Sequence, residues 1–139
     1  MLIRDATPDD ARNLRQLLLQ LGYSLDENET QQKIRAYSLE GNKILVAESS
    51  EGLAAFISLH IFVCFHSPGS IGRITAFCVD ENHRAKGIGA KMLTEAESYF
   101  RKNNCYRIEV TSNNRRVEAH EFYRKKGYSE NSKKFVLDL

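Results

Sequence analysis

The sequence predicts one domain spanning residues 1–139, with an α/β fold of the α+β type. Its core is a mixed, mostly antiparallel sheet of six or seven strands with helices on both faces. Three observations lead there. The element order reads β-α-α-β-β-β-α-β-α-β. Tight Gly- and Pro-containing turns separate the middle strands, as antiparallel neighbours need. The apolar period changes from two to 3.6 after Val79 and returns to two near Tyr106, so residues 71–112 form a strand–helix–strand unit with parallel strands.

The elements can be justified in order. Leu2 to Ala6 is a short apolar strand. Thr7 then stands as an N-cap, Pro8 occupies the first helical position, and Asp9 and Asp10 supply acids to the first turn. Leu14, Leu17, Leu18 and Leu21 repeat at helical spacing, and Gly22 stops the helix. A second, weaker helix is expected from Thr30 to Leu39, before Gly41-Asn42. Strands follow at Lys43 to Ser49, Leu53 to Phe65 and Ile71 to Val79, divided by Glu51-Gly52 and by Ser67-Pro68-Gly69-Ser70. Ile88, Met92, Ala96, Tyr99 and Phe100 share one face of a helix from Gly87 to Lys102. A strand at Tyr106 to Ser112, a helix from Glu118 to Lys126 closed by Gly127, and a last strand at Lys134 to Leu139 complete the chain.

Composition bounds the function. With 139 residues, 42% hydrophobic and 27% charged, the chain is an ordinary globular one, large enough to bury a core without staples. Cys64, Cys78 and Cys105 are odd in number and widely spaced, which argues against a disulfide framework or a zinc site and for a reducing cytoplasm. The charged opening is not a signal peptide, and the apolar run Leu53 to Phe65 is too short for a membrane span. The net charge of +2 divides unevenly. Residues 1–70 hold six Lys and Arg against nine Asp and Glu, and residues 71–139 hold fourteen against nine. A basic second half suits an anionic ligand; Lys-rich solvated helix faces would give the same imbalance.

The stretch Val79-Asp80-Glu81-Asn82-His83-Arg84-Ala85-Lys86-Gly87-Ile88-Gly89-Ala90-Lys91 carries the chemistry. A strand ends, a basic loop follows, and a helix opens on two glycines. The first N–H groups of a helix lack intrahelical acceptors and carry about half a positive charge. Glycine lets an anion approach that backbone, and Arg84 and Lys86 add formal charge. The stretch reads as a diphosphate site. A Walker loop is excluded, since Gly-x-x-x-x-Gly-Lys-Ser/Thr does not occur. A Rossmann turn fits poorly: Met92 stands in the place of its third glycine, and Glu109 lies mid-strand. A glycine-containing helix start with surface lysines is the plain structural alternative, and the position of Arg84 and Lys86 between a strand and an amphipathic helix argues against it.

Arg84-Ala85-Lys86-Gly87-Ile88-Gly89 resembles the Arg/Gln-x-x-Gly-x-Gly/Ala signature of the GNAT superfamily of acyl-CoA-dependent N-acetyltransferases. A second match follows: Thr111-Ser112-Asn113-Asn114, then Ala119-His120-Glu121-Phe122-Tyr123, then Lys126-Gly127-Tyr128. It is similar to the family's strand, Asn-bearing loop and Phe-Tyr helix. The resemblance implies acetyl-CoA as co-substrate and no metal. It implies that Phe77, Cys78 and Val79 pair with pantetheine through their backbone, and that Arg84, Ala85, Lys86, Gly87, Ile88, Gly89 and Ala90 hold the diphosphate. It assigns Asn113 or Asn114 to pantetheine, although Arg116 stands nearer the family's usual Asn position. It makes Tyr123 the proton donor to the departing thiolate.

The same resemblance leads one to expect a carboxylate base on the strand Ile71 to Cys78, and none is there. Thr75 stands near that place and could position a water. Glu27, Glu109, His60 and His66 remain open as bases, whereas His83 and His120 are expected at the surface. Cys78 is discounted as a nucleophile because a buried strand thiol is usually inert. Acids at Asp26, Glu27 and Glu29, in the region that walls the acceptor site in this superfamily, point to a small cationic amine or a peptide amine, with Glu27 and Thr75 as substrate contacts; a solvated loop is the alternative. A homodimer is implied by the superfamily's habit, with the apolar last strand available to pair across chains. No nucleic-acid or membrane partner is expected. A CoA-binding module without catalysis is the rival function.

Overall fold

The computed structural model describes residues 1–39, 41–112 and 116–139. Five strands form one sheet in the order β1 (Leu2–Asp5), β2 (Asn42–Ser49), β3 (Gly52–Val63), β4 (Ser70–Val79) and β5 (Cys105–Val110). The first three pairings are antiparallel and β4–β5 is parallel. The mixed sheet and its parallel unit are therefore as expected. The strand number is not: Lys134 to Leu139 forms no strand and lies exposed.

The helices divide between the two faces. α1 (Ala11–Gln20) and α2 (Glu27–Tyr37) cover one, where Leu14, Leu17 and Ile34 pack with Val46, Phe56 and Cys78. α3 (Ile88–Lys102) covers the other, where Met92, Leu93, Ala96 and Phe100 meet Leu45, Ala47, Ile57, Leu59 and Ile74. α4 (Val117–Lys125) brings Phe122 to the edge of that second layer. The alternation Leu45-Val46-Ala47 across the two cores is the strand period at work.

Two helix starts depart from the sequence reading. α2 opens one turn earlier than expected, because the Asp26 carboxylate accepts the Glu29 N–H at 2.7 Å and caps it. Thr7 does cap a helical segment, a 3₁₀ turn at Pro8–Asp10 that leads into α1. There the Asp10 carboxylate accepts the Thr7 N–H at 2.8 Å and a bidentate pair of bonds from Arg4, both at 2.8 Å.

One irregularity positions the site. Leu59 pairs with Ile74 and Ser58 with Ala76, so Thr75 stands opposite no residue of β3 in the register. This bulge shifts the phase of β4. Ile74 and Cys78 are four residues apart, yet Ile74 joins the α3 core and Cys78 the α1–α2 core. Past the bulge, Phe77 and Val79 face α3. The pairing of β4 with β5 ends at Ile74 and Val110, so the parallel strands splay from the bulge onward.

Candidate active site

The splay opens a cleft of about 290 Å³. Thr75, Ala76 and Phe77 of β4 form one wall, and Val110, Thr111 and Ser112 form the other. Tyr123 of α4 and Arg116 just before that helix close it, and Leu21 and Tyr23 approach from the end of α1. Within the sheet the β4 backbone beyond Ile74 pairs with β3 alone, so its other side can take a strand-like ligand.

At the far end of β4 lies the basic loop. Arg84 Nε donates to the Val79 carbonyl at 3.2 Å, folding the loop back onto the strand end. Gln20 ties the same loop to α1: its Nε2 donates to Asp80 at 2.7 Å and its Oε1 accepts the Glu81 N–H at 3.1 Å. Asp80 also pairs with His83 Nδ1 at 2.7 Å. The Gln20 and His83 bonds together hold the Asp80 carboxyl below its ordinary range. His83 is thus a largely buried loop strut, not the surface residue expected. Residues Arg84 to Gly87 are exposed, and Gly87 caps α3 with φ +79°, a left-handed conformation that a side chain would strain by about 1–2 kcal/mol. Lys91 N–H returns to the Gly87 carbonyl, so the N–H groups of Ile88, Gly89 and Ala90 belong to the open first turn. Gly89 lies against Phe122 and Val79, with room for an added Cβ 3.6 Å from each. Ile88 turns inward and is buried, so its contribution to a ligand is its backbone.

Tyr123 lies half-buried, stacked edge-on to Phe122 with centroids 5.5 Å apart and tilted against Tyr128 at 5.7 Å. Burial raises its pKa to about 12, with Arg116 pulling the other way. Its phenol stays protonated at neutral pH. The helix is held at its end by Tyr128, whose N–H returns to the Tyr123 carbonyl at 3.0 Å and whose hydroxyl donates to Glu97 at 2.9 Å. Ser112 Oγ is buried and has no hydrogen-bond partner among the described residues, so it would accept or donate to a ligand amide in the cleft.

Thr75, the bulged residue, joins a cluster of hydroxyls. Its Oγ1 lies 2.6 Å from Tyr37 Oη and 2.6 Å from Ser58 Oγ. Burial pushes the Tyr37 phenol up, against the opposing effect of the two hydroxyl bonds. Tyr37 and Ser58 went unnoticed in the sequence, since nothing local marks a contact that spans 38 residues and depends on the bulge.

The other bases considered stand apart from the cleft. Glu27 is exposed in the first turn of α2. Glu109 is bound to Arg73 at 2.8 Å. His60 pairs with Asn42 and stacks on Phe62, and His66 is exposed in the turn before β4. None of these four lines the cleft. His120 is partly buried on α4. Cys78 faces the α1–α2 core, where burial raises its thiol pKa, which keeps it protonated and suits a structural role. Asn113 and Asn114 lie outside the described residues. Among the described residues, no cluster of His, Cys, Asp and Glu is arranged to hold a metal, and no helix is long and apolar enough to cross a membrane.

The model of the Acetyltransferase (GNAT) family matches residues 11–128, which include the splay, the basic loop, α3 and α4. The chain belongs to the GNAT acetyltransferase family. It is similar to the aminoalkylphosphonate N-acetyltransferase of Salmonella typhimurium, with 28% identity across 99% of this chain and 90% of that one. Among solved structures, glucosamine-6-phosphate N-acetyltransferase from Arabidopsis thaliana superposes with a TM-score of 0.86 at 26% identity, covering 99% of this chain and 97% of that one. An acetyltransferase of Trypanosoma brucei shares the fold at TM-score 0.85 and 22% identity, over 99% of each chain. Family and relatives together support a transferase that acetylates an amine.

Proposed function

We propose that this GNAT-family chain transfers an acetyl group from acetyl-CoA to the primary amine of a small molecule by direct attack on the thioester. The observation that carries the reading is the splay itself. An unpaired β4 edge and a protonated phenol lie at one cleft, and an open helix start with exposed Arg84 and Lys86 follows the end of the same strand. Phe77, Cys78 and Val79 would offer backbone to pantetheine, and Ser112 Oγ would find a partner there. Residues Arg84 to Ala90 would hold the diphosphate through N–H groups and charge.

Tyr123 would then face the sulfur as the thioester breaks. A phenol near pKa 12 is a weaker acid than a thiol near 8.5 by about three units, so complete proton transfer would be uphill by roughly 4–5 kcal/mol. Its role in this reading is hydrogen-bond donation to the developing thiolate, with the proton made up from the ammonium formed on the attacking nitrogen. Thr75, oriented by Tyr37 and Ser58, would accept a hydrogen bond from the neutral amine or from a water beside it and so position the nitrogen for attack, while the proton released goes to the departing sulfur.

The acceptor reading changes with the geometry. A cationic acceptor rested on Glu27 and its neighbours, but Glu27 does not line the cleft, and the formal charge among its described lining residues is Arg116. We favour an amine whose other end is anionic, a class to which the named substrates of the Salmonella and Arabidopsis relatives belong. The three cysteines are free, which suits a reducing cytoplasm. A homodimer is part of the same proposal, and no metal is.

Calorimetry with CoA and a panel of cationic, neutral and phosphate- or phosphonate-bearing amines tests the reading. CoA binding with turnover of anionic amines supports it. CoA binding without acetylation of any amine would favour the non-catalytic module, and absence of CoA binding would end both.

A further inference from the structure

In the proposed reaction the acceptor nitrogen lies at Thr75 and the coenzyme runs along Phe77 to Val79. The rest of an acceptor therefore leaves Thr75 in the other direction along β4, which leads to Arg73. Ile74 faces the α3 core, so the residues on either side of it, Arg73 and Thr75, point to the opposite face. Two residues of strand separate their backbones by about 6.6 Å. Both are exposed, and α2, which covers part of this face, ends at Tyr37, whose hydroxyl meets Thr75.

Arg73 belongs to a polar row. Asn42, His60, Arg73 and Glu109 stand opposite one another on β2, β3, β4 and β5, just before β4 and β5 part. The Glu109 carboxylate accepts from Arg73 Nη2 at 2.8 Å. The Phe62 ring lies 4.7 Å from Arg73 Cζ and stacks on His60, which pairs in turn with Asn42. The guanidinium is thus held at one nitrogen and against one ring. Its planar fork of five N–H donors matches a phosphate group. Among the described residues, its Nε and Nη1 have no hydrogen-bond partner, and the side chain is 44% exposed. Arg116 acts instead on the Tyr123 phenol and so stands on the sulfur's side of the cleft.

We propose that Arg73 determines acceptor specificity, binding the phosphate or phosphonate group of a small primary amine whose nitrogen sits at Thr75. This rests on the proposed acetylation of an amine at the cleft. Glu109 competes with the ligand for the same guanidinium and repels its charge, so the two partners of one ion pair have opposite effects on binding. A pair that only held β4 to β5 would have partners that act alike.

The test is steady-state kinetics with 2-aminoethylphosphonate and with propylamine, which lacks the anionic group, on variants whose folding is checked by circular dichroism. Arg73→Gln should raise KM for the phosphonate about tenfold more than for propylamine, with Arg73→Lys between it and the parent chain. Glu109→Gln should lower KM for the phosphonate by about two- to fivefold. Should Arg73→Gln fail to fold, the sign of the Glu109→Gln effect decides. Equal changes for the two amines in Arg73→Gln, or a KM for the phosphonate that rises in Glu109→Gln, overturns the inference. So does turnover confined to amines without an anionic group, which leaves amine acetylation standing. If no amine is acetylated, the proposed reaction fails, and calorimetric titration of 2-aminoethylphosphonate with CoA present decides the subsite. Binding weakened by Arg73→Gln and strengthened by Glu109→Gln supports it; no binding to the parent chain overturns it.

Discussion

Gly72 lies in β4 opposite Ile108 of β5, and the ring of Phe100 from α3 lies directly on it. A Cβ added at residue 72 would sit 2.3, 2.5 and 2.7 Å from three carbons of that ring. Carbon atoms are at their best separation at about 3.5–4.0 Å, so Gly72→Ala forces an overlap of roughly 1.2 Å or more. The ring is fully buried, and one of the clashing atoms is its Cγ, close to the helix backbone. Relief must come from moving α3 off the sheet. Overpacking of this kind costs typically 1–3 kcal/mol, and the depth of this overlap places Gly72→Ala near about 3 kcal/mol, a fall of roughly 10 °C in Tm for a domain of this size. Thermal unfolding followed by circular dichroism measures it. Phe100→Leu in the same chain should restore part of the loss, although Phe100→Leu alone removes buried volume and should destabilise by about 1–2 kcal/mol. The two changes should couple favourably by about 1 kcal/mol or more in a double-mutant cycle. A Tm within about 2 °C of the parent for Gly72→Ala, or penalties that simply add, would refute the packing argument.

Tyr123→Phe removes the donor at the sulfur while keeping the ring between Phe122 and Tyr128; kcat should fall about 10- to 100-fold, with acetyl-CoA affinity by calorimetry unchanged. Thr75→Val should raise KM for the amine and lower kcat, and Tyr37→Phe should do so more weakly, with Thr75→Ser restoring most of the rate; equal losses of CoA binding in all three would point to a folding defect instead. The Arg4–Asp10 pair makes stability depend on acid. The Arg4 guanidinium holds the Asp10 carboxyl below its usual value, so its contribution is full above the unfolded carboxylate pKa of about 3.9 and is lost as pH falls through the lowered folded pKa. Asp10→Asn should therefore unfold more easily in urea at pH 7, and its disadvantage should shrink as pH drops below about 4. A gap that stays constant from pH 7 to pH 3 would contradict this sign.

The signals that were legible in the sequence are those whose physics is local. Leu14 and Leu17 fix the inner face of α1 through helical spacing, and Gly87 marks the start of α3. The change of period around Val79 announces the strand–helix–strand unit. The missing carboxylate on β4 was also visible, and it directed attention to Thr75.

Only the tertiary structure decided the rest. The bulge at Thr75 arises from pairing with Ser58 and Leu59, and no residue in β4 alone shows that the face of the strand inverts there. That inversion sends Cys78 inward to one core and Phe77 and Val79 to the other, and it starts the splay that becomes the cleft. Tyr37 reaches Thr75 because α2 packs across the sheet, and Glu27 falls outside the cleft for the same reason. The last apolar segment reads as a strand from its alternation, yet a strand exists only where another backbone supplies hydrogen bonds, and its own sheet supplies none. Local sequence sets which residues can be helix, strand or anion cradle; which chains lie beside them, and therefore which side chains share a site, is settled by long-range packing.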